Sequence, residues 1–486
     1  MFDEKTARGE TVSEEKRRKT KIVCTIGPAS ESPQILEALI RAGMNVARLN
    51  FSHGTHEEHL RKIITIRQIA DRLKQPVAIL QDLGGPKIRI GMMKEGGAEL
   101  RKGREFRLTN QVLIGDETQA TVTYPALPGE VRAGDRILLA DGMIELQAIE
   151  SDGKTIRCRV IVGGILTSHK GLNFPTRAPL ASAFTEKDQK DLLFGIQHGV
   201  DWVSLSYIQR AADVEAVKRV LKKKSVDIPV IAKIETKEAL ENIEEILLAS
   251  DGVMVARGDL GLETPIEKIP NVQKTLIRKA NDSAKPVITA TQMLRSMVDH
   301  TQPTRAEVTD VVNAIYDGTD AVMLSEETAS GQFPVEAFQM MARIAQSAEE
   351  EFPHAHFLRG EKDEGMNLQQ AITYTASLLA EEVGAKVIVT PTESGSTARW
   401  VSKLRPRQPI LALSQHLTTV RELNLSWGVY PVLGPAWKDT DEMLERSKRM
   451  PKELGMASRG EKIVVIAGVP IGIRGTTNLI KVEVVE

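Results

Sequence analysis

A (β/α)8 barrel, interrupted by a small β domain and followed by a separate α/β domain, is the fold class predicted for this chain of 486 residues. Three observations predict it. Eight short apolar runs alternate with helical stretches between Thr20 and Pro353. The alternation breaks off from about Pro86 to about Ala183, where short strands and turn residues replace helices. After Pro353 alternation resumes with a different organisation.

The eight runs are Lys21–Thr25, Val46–Leu49, Val77–Gln81, Trp202–Leu205, Val230–Ile234, Gly252–Val255, Val287–Thr289 and Ala321–Leu324. Each is apolar throughout rather than alternating, as a strand buried on both faces requires. Helical patterns such as Glu31–Ala42, Glu57–Leu73, Ala212–Lys224 and Val335–Glu350 follow most of them. A doubly wound open sheet is the rival architecture, but no GxGxxG follows the first run. In the interruption, Ser151-Asp152-Gly153-Lys154 between two strand patterns predicts a hairpin. Asn367–Glu382, Lys386–Thr390, Thr397–Leu404, Pro409–Leu413, Glu461–Ala467 and Asn478–Val485 read as the helices and strands of the last domain. The predicted organisation is therefore a solvated arm (1–18), a barrel (19–85 and 184–353), an inserted lid (86–183) and a C-terminal domain (354–486), with a polar linker at Arg359–Gly365.

Composition narrows the function. Hydrophobic residues at 41% and charged residues at 27% are those of a globular protein. No apolar run is long enough to span a bilayer, and the charged N-terminus lacks a secretory h-region. Lys and Arg total 64 against 65 Asp and Glu, so no basic footprint for nucleic acid or an anionic membrane exists. Cys24 and Cys158 are the only cysteines, which excludes a disulfide scaffold and fits a reducing cytoplasm. Cys24 lies in an apolar run and is expected to be inert packing.

Barrel chemistry sits where strands end. The residues there are Arg48, Asn50, Ser52 and His53, then Asp82, Lys87 and Arg89, then Ser206, Lys233, Glu235, Arg257, Gly258, Asp259, Thr291, Gln292, Ser325, Glu326 and Glu327. Two carboxylates, Glu235 and Asp259, without nearby Cys suit a hard divalent ion, Mg²⁺ or Mn²⁺. Helix capping is the plain alternative for Asp259. Arg48 and Lys233 suit an anionic substrate; the plain alternative is an internal ion pair with Glu235 and Asp259, and both are expected, the substrate borrowing the paired cations. His53, His56 and His59 are not read as a metal site. Thr55 to Glu58 fits a capping box, placing His56 and His59 on a solvated helix face.

The segments TKIVCTIGPAS (20–30), RLNFSHG (48–54), AKIET (232–236), VARGDLGLE (255–263), ITATQML (288–294) and PTRAEVTDVVNAIYDGTDAVMLSEET (303–328) closely resemble the pyruvate kinase family. The resemblance runs from about residue 19 to the C-terminus. It implies a barrel with an inserted β-barrel lid, a regulatory C-terminal domain, a homotetramer, and phosphoryl transfer from phosphoenolpyruvate to ADP, giving pyruvate and ATP. It implies that Glu235 and Asp259 hold the metal, Arg48 grips the phosphate and Lys233 faces the transferring group. Gly258, Thr291 and Ser206 fall on the substrate side, and Thr291, Ser325 and Glu327 on the relay that protonates the enolate. Asn50, His53, Arg89, Asp141 and Lys170 fall on the nucleotide side. The rival readings, a Mg²⁺ lyase or aldolase and a catalytically dead sensor, lack a need for the lid or for the intact polar set.

Several positions depart from the family pattern. Many relatives have Glu at Lys87 and Thr at Leu83, and bind K⁺ through groups matching Asn50, Ser52, Asp82 and the carbonyl of residue 83. A lysine ammonium there predicts independence from K⁺. Glu326 in SEET adds a charge beside the relay, and the hinge PTRAPLASAF (175–184) lacks an acidic residue. In the last domain, Thr392-Glu393-Ser394-Gly395-Ser396-Thr397 lies between a strand and a helix, a place that suits phosphate. The resemblance puts an effector pocket there. Glu393, where fructose-1,6-bisphosphate-activated forms carry Lys, points instead to a sugar monophosphate or AMP. The ending GVPIGIRGTTNLIKVEVVE predicts that no phosphohistidine-type domain follows.

Overall fold

The computed structural model describes residues 17–175, 182–359, 365–471 and 476–486. Most of the expected arm, part of the lid hinge at 175–184 and most of the linker at 359–365 lie outside them. Where the arm is described it is anchored rather than solvated. Arg18 donates to the carbonyls of Thr20 and Gly43 and to Asn45 Oδ1, at 2.7–2.8 Å.

Eight parallel strands close a barrel: β1 (Lys21–Thr25), β2 (Val46–Asn50), β3 (Ala78–Leu83), β4 (Trp202–Leu205), β5 (Val230–Ile234), β6 (Gly252–Ala256), β7 (Val287–Ala290) and β8 (Ala321–Leu324). Each pairs with its sequence neighbours, and β8 returns to β1 with Lys21 opposite Ala321. Interior positions such as Val23, Leu80, Ile231 and Ile288 pack as one cluster, joined from below by Leu425 of the last domain. Alternate positions, such as Ile22, Val203 and Val322, face the surrounding helices. The apolar runs are continuous because both faces are buried.

Between β3 and β4 the lid forms a six-stranded sheet and a two-stranded ribbon. Isolated bridges at Arg89–Gly171 and Ile90–Val122 join the two edges of the larger sheet. Its own core includes Phe106, Leu108, Ile137 and Val160. The hairpin at Ser151–Lys154 is present, with Asp152 Oδ1 accepting from the amides of Lys154 and Thr155. One short turn of helix, Leu127–Glu130, interrupts the strands.

The last domain is a five-stranded sheet, with β9 (Val387–Pro391), β10 (Ile410–Ser414), β11 (Val429–Leu433), β12 (Lys462–Gly468) and β13 (Thr477–Val484) in the order β11-β10-β9-β12-β13. Only β13 runs antiparallel. Apolar layers cover both faces. This domain is tied to the base of the barrel, where Trp202 Nε1 donates to the carbonyl of Glu422 at 3.3 Å and Asn424 donates to that of Pro76. Among the described residues no helix is long and apolar enough to cross a membrane.

Candidate active site

The ends of β2, β3, β4 and β5 bring one charged cluster together. Arg48 Nε donates to Asp82 Oδ2 at 2.7 Å, and its Nη1 to Thr25 Oγ1 at 2.8 Å. Lys233 Nζ lies 2.9 Å from Glu235 Oε1, 3.4 Å from Asp82 Oδ1 and 2.7 Å from Ser206 Oγ. Ser204 Oγ gives Asp82 a further hydrogen bond. All are buried or nearly so. Burial alone would pull the Lys233 ammonium down, but Asp82 and Glu235 outweigh it and hold the pKa above its ordinary value. Burial would likewise raise Asp82, and the facing Lys233 and Arg48 hold it low. The charged forms of Lys233 and Asp82 are thus both favoured. Arg48 pairs with Asp82 rather than with either proposed metal ligand.

Glu235 and Asp259 form the acidic side. Glu235 Oε2 accepts the backbone amide of Tyr207 at 2.8 Å, and Asp259 Oδ1 accepts the Tyr207 hydroxyl at 3.2 Å. Lys87 Nζ stands 3.7 Å from the same Asp259 oxygen. Asp259 is not a helix cap, because the helix Arg257–Glu263 has no side-chain cap. Burial raises the Glu235 carboxyl, opposed first by Lys233, and pushes Glu263 up to about 8. Among the described residues no group of three or more His, Cys, Asp or Glu gathers closely enough to enclose an ion. Two oxygen donors without sulfur fit Mg²⁺ or Mn²⁺, which typically take one or two carboxylates and complete their shell from substrate and water. The residues present therefore fit the expected ion.

Thr291 follows β7 with φ 66°, an outlier for a β-branched residue. Its hydroxyl accepts from the amide of Gly258 at 2.8 Å and donates to the Ala290 carbonyl. Arg257 Nη2 holds the Thr291 carbonyl at 2.7 Å. Gly258 and Thr291 thus satisfy one another in this state. Glu327 is fixed by the amides of Leu294 and Ser325, at 3.0 and 2.7 Å. Ser325 Oγ is buried and has no hydrogen-bond partner among the described residues. Glu326 turns away to an exposed pair with Arg295 Nε at 2.8 Å, so its charge lies off this set.

A cleft of about 1060 Å³ runs between lid and barrel, lined by Lys87, Asp141, Gly258, Asp259, Thr291 and Ser325 among others. It does not reach His53, Arg89 or Lys170. Arg89 is held in the lid, with Nη1 donating to the His169 carbonyl, and Lys170 accepts from the amide of Ile90. Burial, then Arg89, Lys87 and Arg48, hold the His53 imidazole below its ordinary value. Asn50 Oδ1 accepts from the Ser52 amide, and the Leu83 carbonyl accepts from Ser206 Oγ.

The reading of His59 as solvated needs correction. Its ring is buried and stacks on Phe51 with centroids 3.9 Å apart, while Nε2 meets the His53 carbonyl at 2.9 Å. His56 reaches Asp191 Oδ1 at 2.7 Å. The capping box at Thr55 and Glu58 is present. Two neighbours of the site were not singled out from sequence, Tyr207 and Glu263. Tyr207 directly follows Ser206 at a strand end, and that position was its available signal.

In the last domain, Thr392 Oγ1 accepts from the Gly395 amide, Ser396 Oγ from Gln369, and Thr397 pairs with Thr477. Glu393 Oε2 lies 2.7 Å from His416 Nε2. The helix Ser396–Lys403 begins here without a side-chain cap, and near its far end the Ser402 carbonyl accepts from Arg405. Arg399 donates to the Ser394 carbonyl and to Glu422.

A barrel mouth with buried cations facing two carboxylates under a lid defines an enzyme for an anionic, metal-assisted substrate. Comparison with known families specifies it further. Residues 17–338 match the pyruvate kinase barrel domain, and residues 370–483 match the pyruvate kinase alpha/beta domain. A pyruvate kinase of Clostridium acetobutylicum is 43% identical over 472 residues, covering 96% of this chain and 100% of its own length. Pyruvate kinases of Staphylococcus aureus (strain MRSA252) and Geobacillus stearothermophilus are 48% and 47% identical over 96% and 97% of this chain, and 80% and 81% of theirs. The chain belongs to the pyruvate kinase family, phosphotransferases that act between phosphoenolpyruvate and ADP.

Proposed function

We propose that this barrel mouth transfers the phosphoryl group of phosphoenolpyruvate to ADP, with Lys233 as its central cation. The bond from phosphorus to the enol oxygen breaks, and a bond from phosphorus to a terminal β-phosphate oxygen of ADP forms. The enolate then takes a proton at its methylene carbon to give pyruvate. The observation that carries this reading is the Lys233 ammonium, buried and bonded to Ser206 and Glu235 while Asp82 keeps it charged. A preformed charge in a dry site stabilises developing negative charge without reorganisation. Arg48, braced by Asp82 and Thr25, grips the phosphate with its remaining N–H groups. The Gly258 amide and Thr291 hydroxyl exchange their mutual bond for the substrate carboxylate. Ser325 and Glu327 steady the proton path with Thr291. Asn50, His53, Arg89, Lys170 and Asp141 serve the nucleotide once the lid closes and excludes water.

Glu235 and Asp259 hold Mg²⁺ or Mn²⁺, which when bound supplies Lewis-acid charge to the substrate oxygens. The Lys87 ammonium, directed at Asp259, takes the place of a monovalent cation. Three of the oxygens that would bind K⁺ are already engaged, Asn50 Oδ1 by Ser52, the Asp82 carboxylate by Arg48, and the Leu83 carbonyl by Ser206. Residues 392–397 receive a phosphorylated effector, a sugar monophosphate or AMP, because the carboxylate of Glu393 disfavours a second phosphate. The enzyme works as a homotetramer in the cytoplasm; exposed Val482 and Val484 on the edge strand β13 offer one surface for self-association.

The test is pyruvate formation from phosphoenolpyruvate, ADP and Mg²⁺, with K⁺ or a bulky organic cation at equal ionic strength. Equal, ADP-dependent rates are expected. Turnover without ADP would overturn the kinase reading, and turnover only with K⁺ would overturn the role of Lys87. Titration with AMP and sugar phosphates is expected to shift the phosphoenolpyruvate curve, and an unmoved curve would remove the effector site.

A further inference from the structure

We propose that Tyr207 is a positioning residue for the divalent-cation site, one residue that sets the facing geometry of Glu235 through its backbone amide and of Asp259 through its hydroxyl. The proposal rests on the reading of those two carboxylates as the ligands. Tyr207 reaches them by different groups. Its backbone N–H donates to Glu235 Oε2 at 2.8 Å, and its phenolic hydroxyl donates to Asp259 Oδ1 at 3.2 Å. Glu235 Oε1 is meanwhile occupied by Lys233 at 2.9 Å, and Asp259 Oδ1 also faces Lys87 at 3.7 Å. These contacts select one oxygen of Asp259, leaving Oδ2 for an ion, and orient the lone pairs that Glu235 has left. A ligating carboxylate that is itself hydrogen-bonded pays less to adopt its binding rotamer.

The backbone supports this assignment. Tyr207 has φ 55°, in the left-handed region where a bulky side chain is a genuine outlier. Such a conformation persists only where surroundings impose it. Here it turns the chain directly after β4, so that amide and ring diverge toward the ends of β5 and β6. Gly85, at φ 64°, seats the turn. A Cβ at Gly85 would stand 3.0 Å from the Ser206 carbonyl oxygen and 3.2 Å from Tyr207 Cδ2. A phenylalanine would fill the same space and keep the amide contact, so the hydroxyl is an addition whose sole hydrogen-bond partner among the described contacts is Asp259.

Binding of Mn²⁺ alone, followed by electron paramagnetic resonance of the free ion, tests this in the full-length protein. The variants are Tyr207→Phe and Asp259→Asn, with thermal melting as a check on folding. Loss of a partner behind a ligand typically weakens metal affinity about 10–100-fold. We expect Tyr207→Phe to raise the Kd for Mn²⁺ about tenfold, with melting unchanged, and Asp259→Asn to abolish tight binding. A Tyr207→Phe Kd within about twofold of the parent, while Asp259→Asn loses the ion, overturns the positioning role alone. Unchanged binding in Asp259→Asn overturns the ligand reading beneath it. Should Tyr207→Phe melt early, Tyr207→Leu, which also lacks a donor, would be compared: a variant that folds yet binds Mn²⁺ like the parent again overturns the proposal.

Discussion

Asp320 and Arg405 meet at 3.1 Å across the junction of barrel and C-terminal domain, with their side chains only 5% and 1% exposed. Neither charge is left to its partner alone. Asp320 also accepts the amides of Val287 and Trp427, and Arg405 donates to Ser402, Asn281 and Gly318 while lying 5.2 Å from the centroid of the Trp427 ring. Removing one member strands the other in a dry interface, which costs about 3–5 kcal/mol. Arg405→Leu should lower unfolding stability by that amount in urea at unchanged slope, and a loss below about 1 kcal/mol would contradict the account.

The proposed role of Lys87 as a stand-in cation predicts that it can be converted to a cation ligand. Lys87→Glu removes the ammonium 3.7 Å from Asp259 and adds a carboxylate. The variant should be nearly inactive in organic-cation buffer and should regain turnover several-fold or more as K⁺ is titrated, whereas the parent stays flat. Steady-state rates at constant ionic strength decide it.

Lys233→Met keeps much of the stem and deletes the charge. It leaves Asp82 with Arg48 as its one facing cation among the described contacts and Glu235 without its closest cation. Loss of one preorganised charge of this kind lowers kcat about 10²–10³-fold. Phosphoenolpyruvate binding, followed by calorimetry, should weaken as well. A kcat within tenfold of the parent would show that the phosphoryl group is neutralised elsewhere.

His354 predicts an acid weakness at the same domain junction. Its Nδ1 donates to the Arg405 carbonyl at 2.6 Å, and burial pushes its pKa down from 6.5 to about 4, with Lys19 and Arg407 also disfavouring charge. The unfolded chain takes up this proton near 6.5 and the folded chain only near 4. Stability from this group is therefore present above 6.5 and lost as pH falls toward 4. The melting temperature should decline across that window, and more gently in His354→Gln. Parallel slopes would assign the decline to other groups.

The barrel was legible because burial on both faces writes each strand as an unbroken apolar run. Most of the expected runs coincide with strands to within one or two residues. The last domain was read less fully. β11 carries Pro431, which argues against a central strand and is tolerated because β11 pairs on one side only. The helix Thr440–Glu453 is strongly polar, so its apolar stripe is thin. Residues at strand ends announced the charged cluster, but not its pairings. That Arg48 would pair with Asp82, and Lys233 reach Asp82 and Ser206, depends on which neighbouring strands close the circle. His59 was misread for a related reason: spacing within one helix cannot reveal that Phe51, on the preceding loop, will stack on it.

The helix Ser396–Lys403 joins two of these places as one stiff body. It opens at the loop 392–397 and closes on Arg405, whose partner Asp320 directly precedes β8, the strand that leads to Ser325 and Glu327. Any coupling carried this way is bound by reciprocity. If an occupant of the loop tightens phosphoenolpyruvate by some factor, phosphoenolpyruvate must tighten that occupant by the same factor. The cell's supply of glycolytic substrate would then decide how firmly the enzyme holds its own regulator.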